Sequence, residues 1–362
     1  MTTQNSFFAI LVLLILQGCA DQDTWYRGNS HAHTELCGHA DSTPEHVTKT
    51  YHDLGYHFLI LSEHNKFIDP ATVAMPANKR KDFILIPGQE ITGERVHTTA
   101  MNIDGLVAWK DEGVSVSEVI ENHIQRTEAA GGTAILNHPH GGSNLKAPDI
   151  LPAKNVHMME VYNASTRRNN IYKRKGMGYP RTAEPLWDEL LTKGMHIYGV
   201  GSDDAHILQT IGPNQSNPGL GWVMVRAKDL TPDAITEAMR SGDFYASNGV
   251  YLKTYEKTPD SYTIEVDEEK TQIMLANLPA WSGLKTDNGT EGYRIDFFGP
   301  NRQVLQTEHG TQSSYQIDWK QAYVRARVTL TQKNADDGYE EHYAWGQPVF
   351  IRSFSMPVET AN

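Results

Sequence analysis

Trp25-Tyr26-Arg27-Gly28-Asn29-Ser30-His31-Ala32-His33 reads as a β-rich run that ends in two histidines. Spacing i, i+2 sends both imidazoles to the same side of an extended segment. The pattern returns downstream. Glu63-His64 closes the apolar run that ends at Leu61, Glu90 follows Ile84-Leu85-Ile86, and His138 closes Ala134-Ile135-Leu136-Asn137. Glu160 lies in Met158-Met159-Glu160-Val161, and Asp203-Asp204-Ala205-His206 follows Ile197-Tyr198-Gly199-Val200-Gly201. A single His-x-His is often a surface pair, and acidic–His neighbours are common. Their repetition at successive strand ends is what decides the fold, because in a (β/α) barrel those ends gather at one mouth.

Working outward, strands are predicted over 26–30, 57–61, 83–86, 97–103, 133–136, 157–161, 196–200 and 221–226. Helices are predicted over 44–54, 115–130, 185–193 and 232–241, with Thr43, Ser115 and Thr231 as caps. Alternation at this spacing predicts parallel βα units and an α/β class, a distorted (β/α)7 barrel over residues 25–250. Beyond Ala246 the runs 262–266, 272–275, 293–298, 314–318, 323–330 and 348–351 read as strands separated by turn residues such as Asp287-Asn288-Gly289. These predict a small antiparallel β-sandwich over 251–355 and a short tail, 356–362.

The chain has 362 residues, a net charge of −12, two cysteines and sixteen histidines. An acidic balance excludes a nonspecific duplex-DNA binder, since phosphate contacts need clustered Lys and Arg. It leaves room for a small anionic substrate at a locally cationic site. Two cysteines exclude a disulfide scaffold. Phe7 to Leu16 is an apolar run too short for a spanning helix and suited to a signal peptide. Leu16-Gln17-Gly18-Cys19 resembles a bacterial lipobox. It implies a signal over 1–18, lipid on Cys19, a linker over 19–24, and an envelope protein anchored to the membrane, the periplasmic face of the outer membrane being favoured by Ala20. Cys37 is then the remaining thiol.

Fourteen of the sixteen histidines precede Ala246, so the chemistry belongs to the first part. Imidazole and carboxylate gathered at one mouth suit Zn, Mn or Fe. Asn29-Ser30-His31-Ala32-His33-Thr34, Ser62-Glu63-His64-Asn65, Pro87-Gly88-Gln89-Glu90, Asn137-His138-Pro139, Met159-Glu160-Val161-Tyr162-Asn163 and Gly201-Ser202-Asp203-Asp204-Ala205-His206 resemble, in this order, the PHP (polymerase and histidinol phosphatase) superfamily of metal-dependent hydrolases. Pro185-Leu186-Trp187-Asp188 and Ala344-Trp345-Gly346-Gln347-Pro348 are similar to its carbaryl-hydrolase-like branch, whose members add a β-rich tail. The resemblance implies two or three divalent metals. One would be held by His31, His33, Glu90 and Asp204, with Glu90 bridging, a second by Glu90, His97 and His138, and a third by His39, His64 and His206. Asp204 is preferred to Asp203 because the family's Asp-x-His spacing fits it.

The chemistry implied is hydrolysis by a metal-bound hydroxide, with a small phosphate ester as substrate and a carbamate, ester or amide as the rival. His140 and Asp203 are the candidate leaving-group acids. Arg167 and Arg168 are the candidate clamp for an anionic substrate. A reading of another class is a noncatalytic surface lipoprotein that binds metal or glycan.

Overall fold

The computed structural model describes residues 23–110, 114–141, 144–165, 182–212, 215–279, 282–286, 289–334 and 338–351. The lipobox with Cys19, and Arg167 and Arg168, lie outside the described residues.

In chain order the first part comprises β1 (Thr24–Ala32), α1 (Pro44–Asp53), β2 (Phe58–Leu61), β3 (Ile84–Leu85), β4 (Gly88–Thr92), β5 (His97–Met101), α2 (Val116–Ala129) and β6 (Thr133–Leu136). It continues through α3 (Ala147–Ile150), β7 (Met158–Asn163), α4 (Glu184–Thr192), β8 (Tyr198–Ser202), β9 (Trp222–Ala227), α5 (Pro232–Arg240) and β10 (Phe244–Ser247). The helices begin where the caps are. Thr43, Ser115 and Thr231 each accept a backbone N–H of the first turn, and Ser115 forms a full capping box with Glu118. Each then lays its apolar face on a strand, α1 on β2, α2 on β6, α4 on β7 and α5 on β9.

β3, β2, β1, β9 and β10 are successive neighbours in a long sheet, and β4 to β8 form a second sheet in chain order. Two isolated parallel bridges, Ala32 to Ala205 and His64 to Glu90, stitch the sheets together at the ends of β1, β2 and β8. Phe58, Ile60, Met101, Ile135, Met158, Val200 and Val223 fill the space between them. Gly28 makes that packing possible, because a Cβ there would sit 1.9 Å from Phe58 Cζ. The fold is mixed α/β and rich in sheet. It departs from a run of parallel βα units in two places: β4 and β5 form an antiparallel hairpin, and β9 and β10 run antiparallel to their neighbours.

The second part comprises β11 (Leu252–Lys257), β12 (Ser261–Val266), α6 (Glu268–Asn277), β13 (Leu284–Thr286), β14 (Gly292–Phe298), β15 (Val304–His309), β16 (Gln312–Gln316), β17 (Tyr323–Lys333), β18 (Tyr339–Gly346) and β19 (Val349–Phe350). β11, β12 and β16 form a three-stranded sheet. Its Tyr255, Tyr262 and Ile264 pack with Phe297, Val328 and Ala344 of the long sheet, giving the sandwich-like core. One segment read as a strand is a helix: Asp267 caps α6 by accepting Lys270 N at 2.9 Å, so 272–275 are helical.

The long sheet does not stop at the expected boundary. β18 pairs with β10, Ala246 opposite Trp345, so the second part supplies the next strands of the sheet that contains β1. Just beyond β18, the Gln347 amide bonds both backbone groups of Gly199 on β8, at 2.8 and 2.7 Å. A buried clasp adds to this. Arg325 on β17 holds Asp188 on α4 through two contacts of 2.6 and 2.7 Å, and Arg325 and Arg327 each reach Glu184 at 2.8 Å.

Candidate metal centre

Glu90, fully buried on β4, is the hub. Five imidazoles approach its carboxylate: His64 at 2.6 Å, His97 at 3.1 Å, His138 at 3.3 Å, His31 at 3.4 Å and His33 at 3.8 Å. They arrive from the end of β1, the turn after β2, the start of β5 and the turn after β6. His97 reaches this mouth because β5 runs antiparallel, which puts its first residue there, opposite Thr92. Asp204 completes the centre, with Oδ1 at 3.3 Å from His33 Nε2 and 3.4 Å from His31 Nε2. His206 stacks on His33 at 4.2 Å and on His39 at 4.5 Å, and His39 stacks on His64 at 5.1 Å. The structure therefore brings together His31, His33, His39, His64, Glu90, His97, His138, Asp204 and His206.

Two backbone positions pay for this convergence in strain. His138 and Asp204 have φ of +25° and +49°, a region that costs a non-glycine residue of order 1–3 kcal/mol and is common at functional sites. At Asp204 the left-handed turn separates two adjacent carboxylates. Asp204 faces the histidines, whereas Asp203 accepts five hydrogen bonds, from Gly219, Leu220 and Gly221 N–H, the Tyr51 hydroxyl and the Asn29 amide. Burial pushes the Asp203 pKa up to about 6 against those donors. With both oxygens engaged away from the imidazoles, Asp203 anchors the loop after β8, and its reading as a leaving-group acid is corrected. His140 lies inside the turn that Gly141 N–H closes on His138 O, and no hydrogen bond or ion pair joins it to the cluster among the described residues. Its pKa is lowered by burial and by Lys146.

Glu160 is the functional residue that the sequence reading quoted without giving it a role. It accepts His31 Nδ1–H at 2.8 Å, His138 N–H at 2.5 Å, the Asn163 amide at 2.9 Å and the Ser202 hydroxyl at 2.5 Å. Holding Nδ1–H turns the His31 Nε2 lone pair toward Glu90 and Asp204, the standard way in which a carboxylate orients a ligating imidazole. Its signal was a charged residue inside the fully buried strand β7. Asn137 and Thr92 act similarly on Glu90 and His64, at 3.0 and 2.7 Å.

The charges do not balance one another. Burial opposes charge on His31, but Asp204, Glu160 and Glu90 outweigh it and raise its pKa well above the usual histidine range. Burial and the neighbouring His206 hold His33 well below that range, and burial takes His206 down to about 4. Glu90 and Asp204 resist burial and stay well below the usual carboxylate range because imidazoles surround them. Neutral His33 and His206 thus stand beside ionised Glu90 and Asp204 and a His31 whose proton the acids favour, and among the described residues His33 Nδ1 and His206 Nε2 are buried with no hydrogen-bond partner. Buried lone pairs without donors are costly.

Ligand atoms of His31, His33 and Glu90, of His31, His138 and Asp204, and of His33, His64 and His206 each lie within 4.8 Å of one another. Nitrogen and oxygen donors so grouped fit divalent metal.

No family model and no curated protein matches the chain. Among solved structures it is similar to a two-domain protein from Bacteroides vulgatus described as containing a predicted PHP-like metal-dependent phosphoesterase. The identity is 15%, the match covers 89% of this chain and 95% of that one, and the TM-score is 0.41. At that score neither family nor activity passes from one chain to the other.

Proposed function

We propose that the centre binds two or three divalent ions, drawn from Zn, Mn or Fe, and that the protein is a metal-dependent hydrolase acting on a small phosphate ester. The observation that carries this is the Glu90 carboxylate met by five imidazoles from separate elements, with Asp204 opposite. A pure scaffold has no use for so many imidazoles gathered on two buried carboxylates. When bound, closely spaced metals activate water and stabilise the attacking and leaving oxygens of a displacement. The chain's own part is to fix the ligands. Glu160 aims His31, Asn137 and Thr92 hold Glu90 and His64, and the strained turns at His138 and Asp204 point their side chains inward. His140 is assigned proton exchange with the leaving group. Arg167 and Arg168, after β7, are assigned the anionic end of the substrate.

The choice of a phosphate ester over a carbamate, ester or amide rests on the ordered sequence resemblance to the PHP superfamily and on the basic residues after β7. We also propose that the protein is exported and held at the envelope by lipid on Cys19. No helix among the described residues is long and apolar enough to cross a membrane. Palmitate labelling that survives Cys19→Ser would refute the anchor.

The deciding experiment is to purify the protein, measure metal per chain, and assay p-nitrophenyl phosphate, nucleotides and aryl carbamates with Mn or Zn. Turnover of the phosphate esters, lost in His33→Ala, is expected. Less than one tightly bound metal per chain, or activity unchanged in His33→Ala, would overturn the hydrolase reading. Preferential turnover of the carbamates would replace the substrate class.

A further inference from the structure

The short turn Thr34 to His39 carries a sulfur atom to the rim of the metal centre. Thr34 caps a single helical turn, Glu35–Cys37, and Gly38 ends it at φ +84°, a conformation natural to glycine. That reversal sets Cys37 and His39 close together, with His39 Nδ1 on Cys37 O at 3.3 Å. Backbone ties then press the turn against the loop after β8. Asp41 N–H bonds His206 O at 3.0 Å, and the Asp41 carboxylate accepts Leu208 N–H and Gln209 N–H, both at 3.0 Å. As a result, ligand atoms of Cys37, His39 and His206 all lie within 4.8 Å of one another.

A cysteine near histidines is not by itself a site. Here a second observation points to a ligand. His206 is only 5% exposed, its Nδ1 is engaged by Asp204 O at 2.9 Å, and its Nε2 is buried with no hydrogen-bond partner among the described residues. Cys37 is a free thiol, half-buried rather than sealed in the core.

We propose that Cys37 is a metal ligand: its thiolate, with His39 and His206, forms a sulfur-containing position at the rim of the centre, selective for a thiophilic cation such as Zn. This deepens the hydrolase reading and rests on its claim that the cluster binds metal. Binding deprotonates the thiol, forms the sulfur–metal bond and releases one proton to solvent. A soft sulfur donor favours Zn, whereas the neighbouring positions, built from imidazole and carboxylate, also accept Mn or Fe. The consequence is a centre whose rim position differs in metal preference from its interior.

Cobalt(II) tests this directly, because a cobalt–thiolate bond gives a near-ultraviolet charge-transfer band in addition to the visible bands of bound cobalt. The metal-free full chain titrated with cobalt should develop the charge-transfer band with one equivalent per chain. The band should persist in Cys19→Ser and vanish in Cys37→Ser, with one equivalent less cobalt retained and the visible bands of the other positions kept. Visible bands with no charge-transfer band in the wild type would overturn the thiolate ligand and leave the metal centre standing. Absence of bound cobalt would overturn both. A band that survives Cys37→Ser would assign the sulfur elsewhere and overturn the proposal. Should Cys37→Ser not fold, alkylation of Cys37 in the Cys19→Ser protein decides the matter. Zinc should slow it at least tenfold and a chelator should restore it, whereas equal rates with and without zinc would overturn the assignment.

Discussion

Two buried clusters of charge among the described residues are built on opposite principles. In the clasp between α4 and β17, Arg325 and Arg327 face Glu184 and Asp188, cation against anion, at 2.6 to 2.8 Å. At the metal centre, Glu90 and Asp204 face imidazoles that crowd one another, with His31 Nε2 and His33 Nε2 3.1 Å apart. The first cluster is balanced by its own members. The second becomes balanced only when cations enter it. Burial and hydrogen bonding alone do not distinguish a structural ion cluster from a functional one; whether the members neutralise one another does.

The largest expected effect is on the clasp. Arg325→Ala leaves Asp188 buried without its main partner, and removing one member of a buried pair costs about 3–5 kcal/mol. Urea unfolding should show that loss while metal per chain stays at the wild-type value. Glu90→Gln should do the reverse, lowering hydrolysis by more than about 100-fold, beyond what outer-shell changes cost at metal sites, with metal content reduced and the fold retained. If Glu90→Gln keeps wild-type metal content, the contrast between the two clusters collapses. Glu160→Gln should come next, reducing metal affinity or turnover by about 10–100-fold, measured by chelator competition.

Acid should separate the two regions in pH. His206 has a folded pKa of about 4, below its ordinary 6.5, so in metal-free protein its contribution is whole above 6.5 and is lost as pH falls toward 4. Burial pushes Glu184 upward, but Arg325, Arg327 and Arg302 prevail and hold it at about 2. Its contribution is whole above 4.5 and is lost as pH falls toward 2. Urea midpoints of metal-free His206→Gln and of Glu184→Gln, each against wild type, should therefore diverge in different windows. Divergence in one shared window would remove the distinction.

Much of the centre was legible in the sequence because His31, His33, His64, His138 and Asp204 sit where an apolar run breaks into histidine or carboxylate. The capped helices were legible because Thr43, Ser115 and Thr231 act through neighbours a few residues away. The hairpin of β4 and β5 was not, because Glu90 lies mid-strand in β4 and the apolar run before it, β3, pairs with β2 in the other sheet. The family's Asp-x-His spacing preferred Asp204 as the ligand, but the anchoring role of Asp203 was not legible, since only the backbone turn at Asp204 sends the two carboxylates apart. α6 was misread because Ile273-Met274-Leu275-Ala276 is a short continuous apolar run, which suits a strand as well as a helix. The junction of the two parts was invisible because β10 and β18 are nearly a hundred residues apart.

That junction bears on the timing of biosynthesis. The edge of β10 has no neighbour until residues 339–346 have been made, and the backbone of Gly199 waits for Gln347. The long sheet that carries β1 is therefore completed only after residues 339–346 have emerged. A nascent chain halted near residue 250 would present an unpaired strand edge, the kind of surface on which chains aggregate.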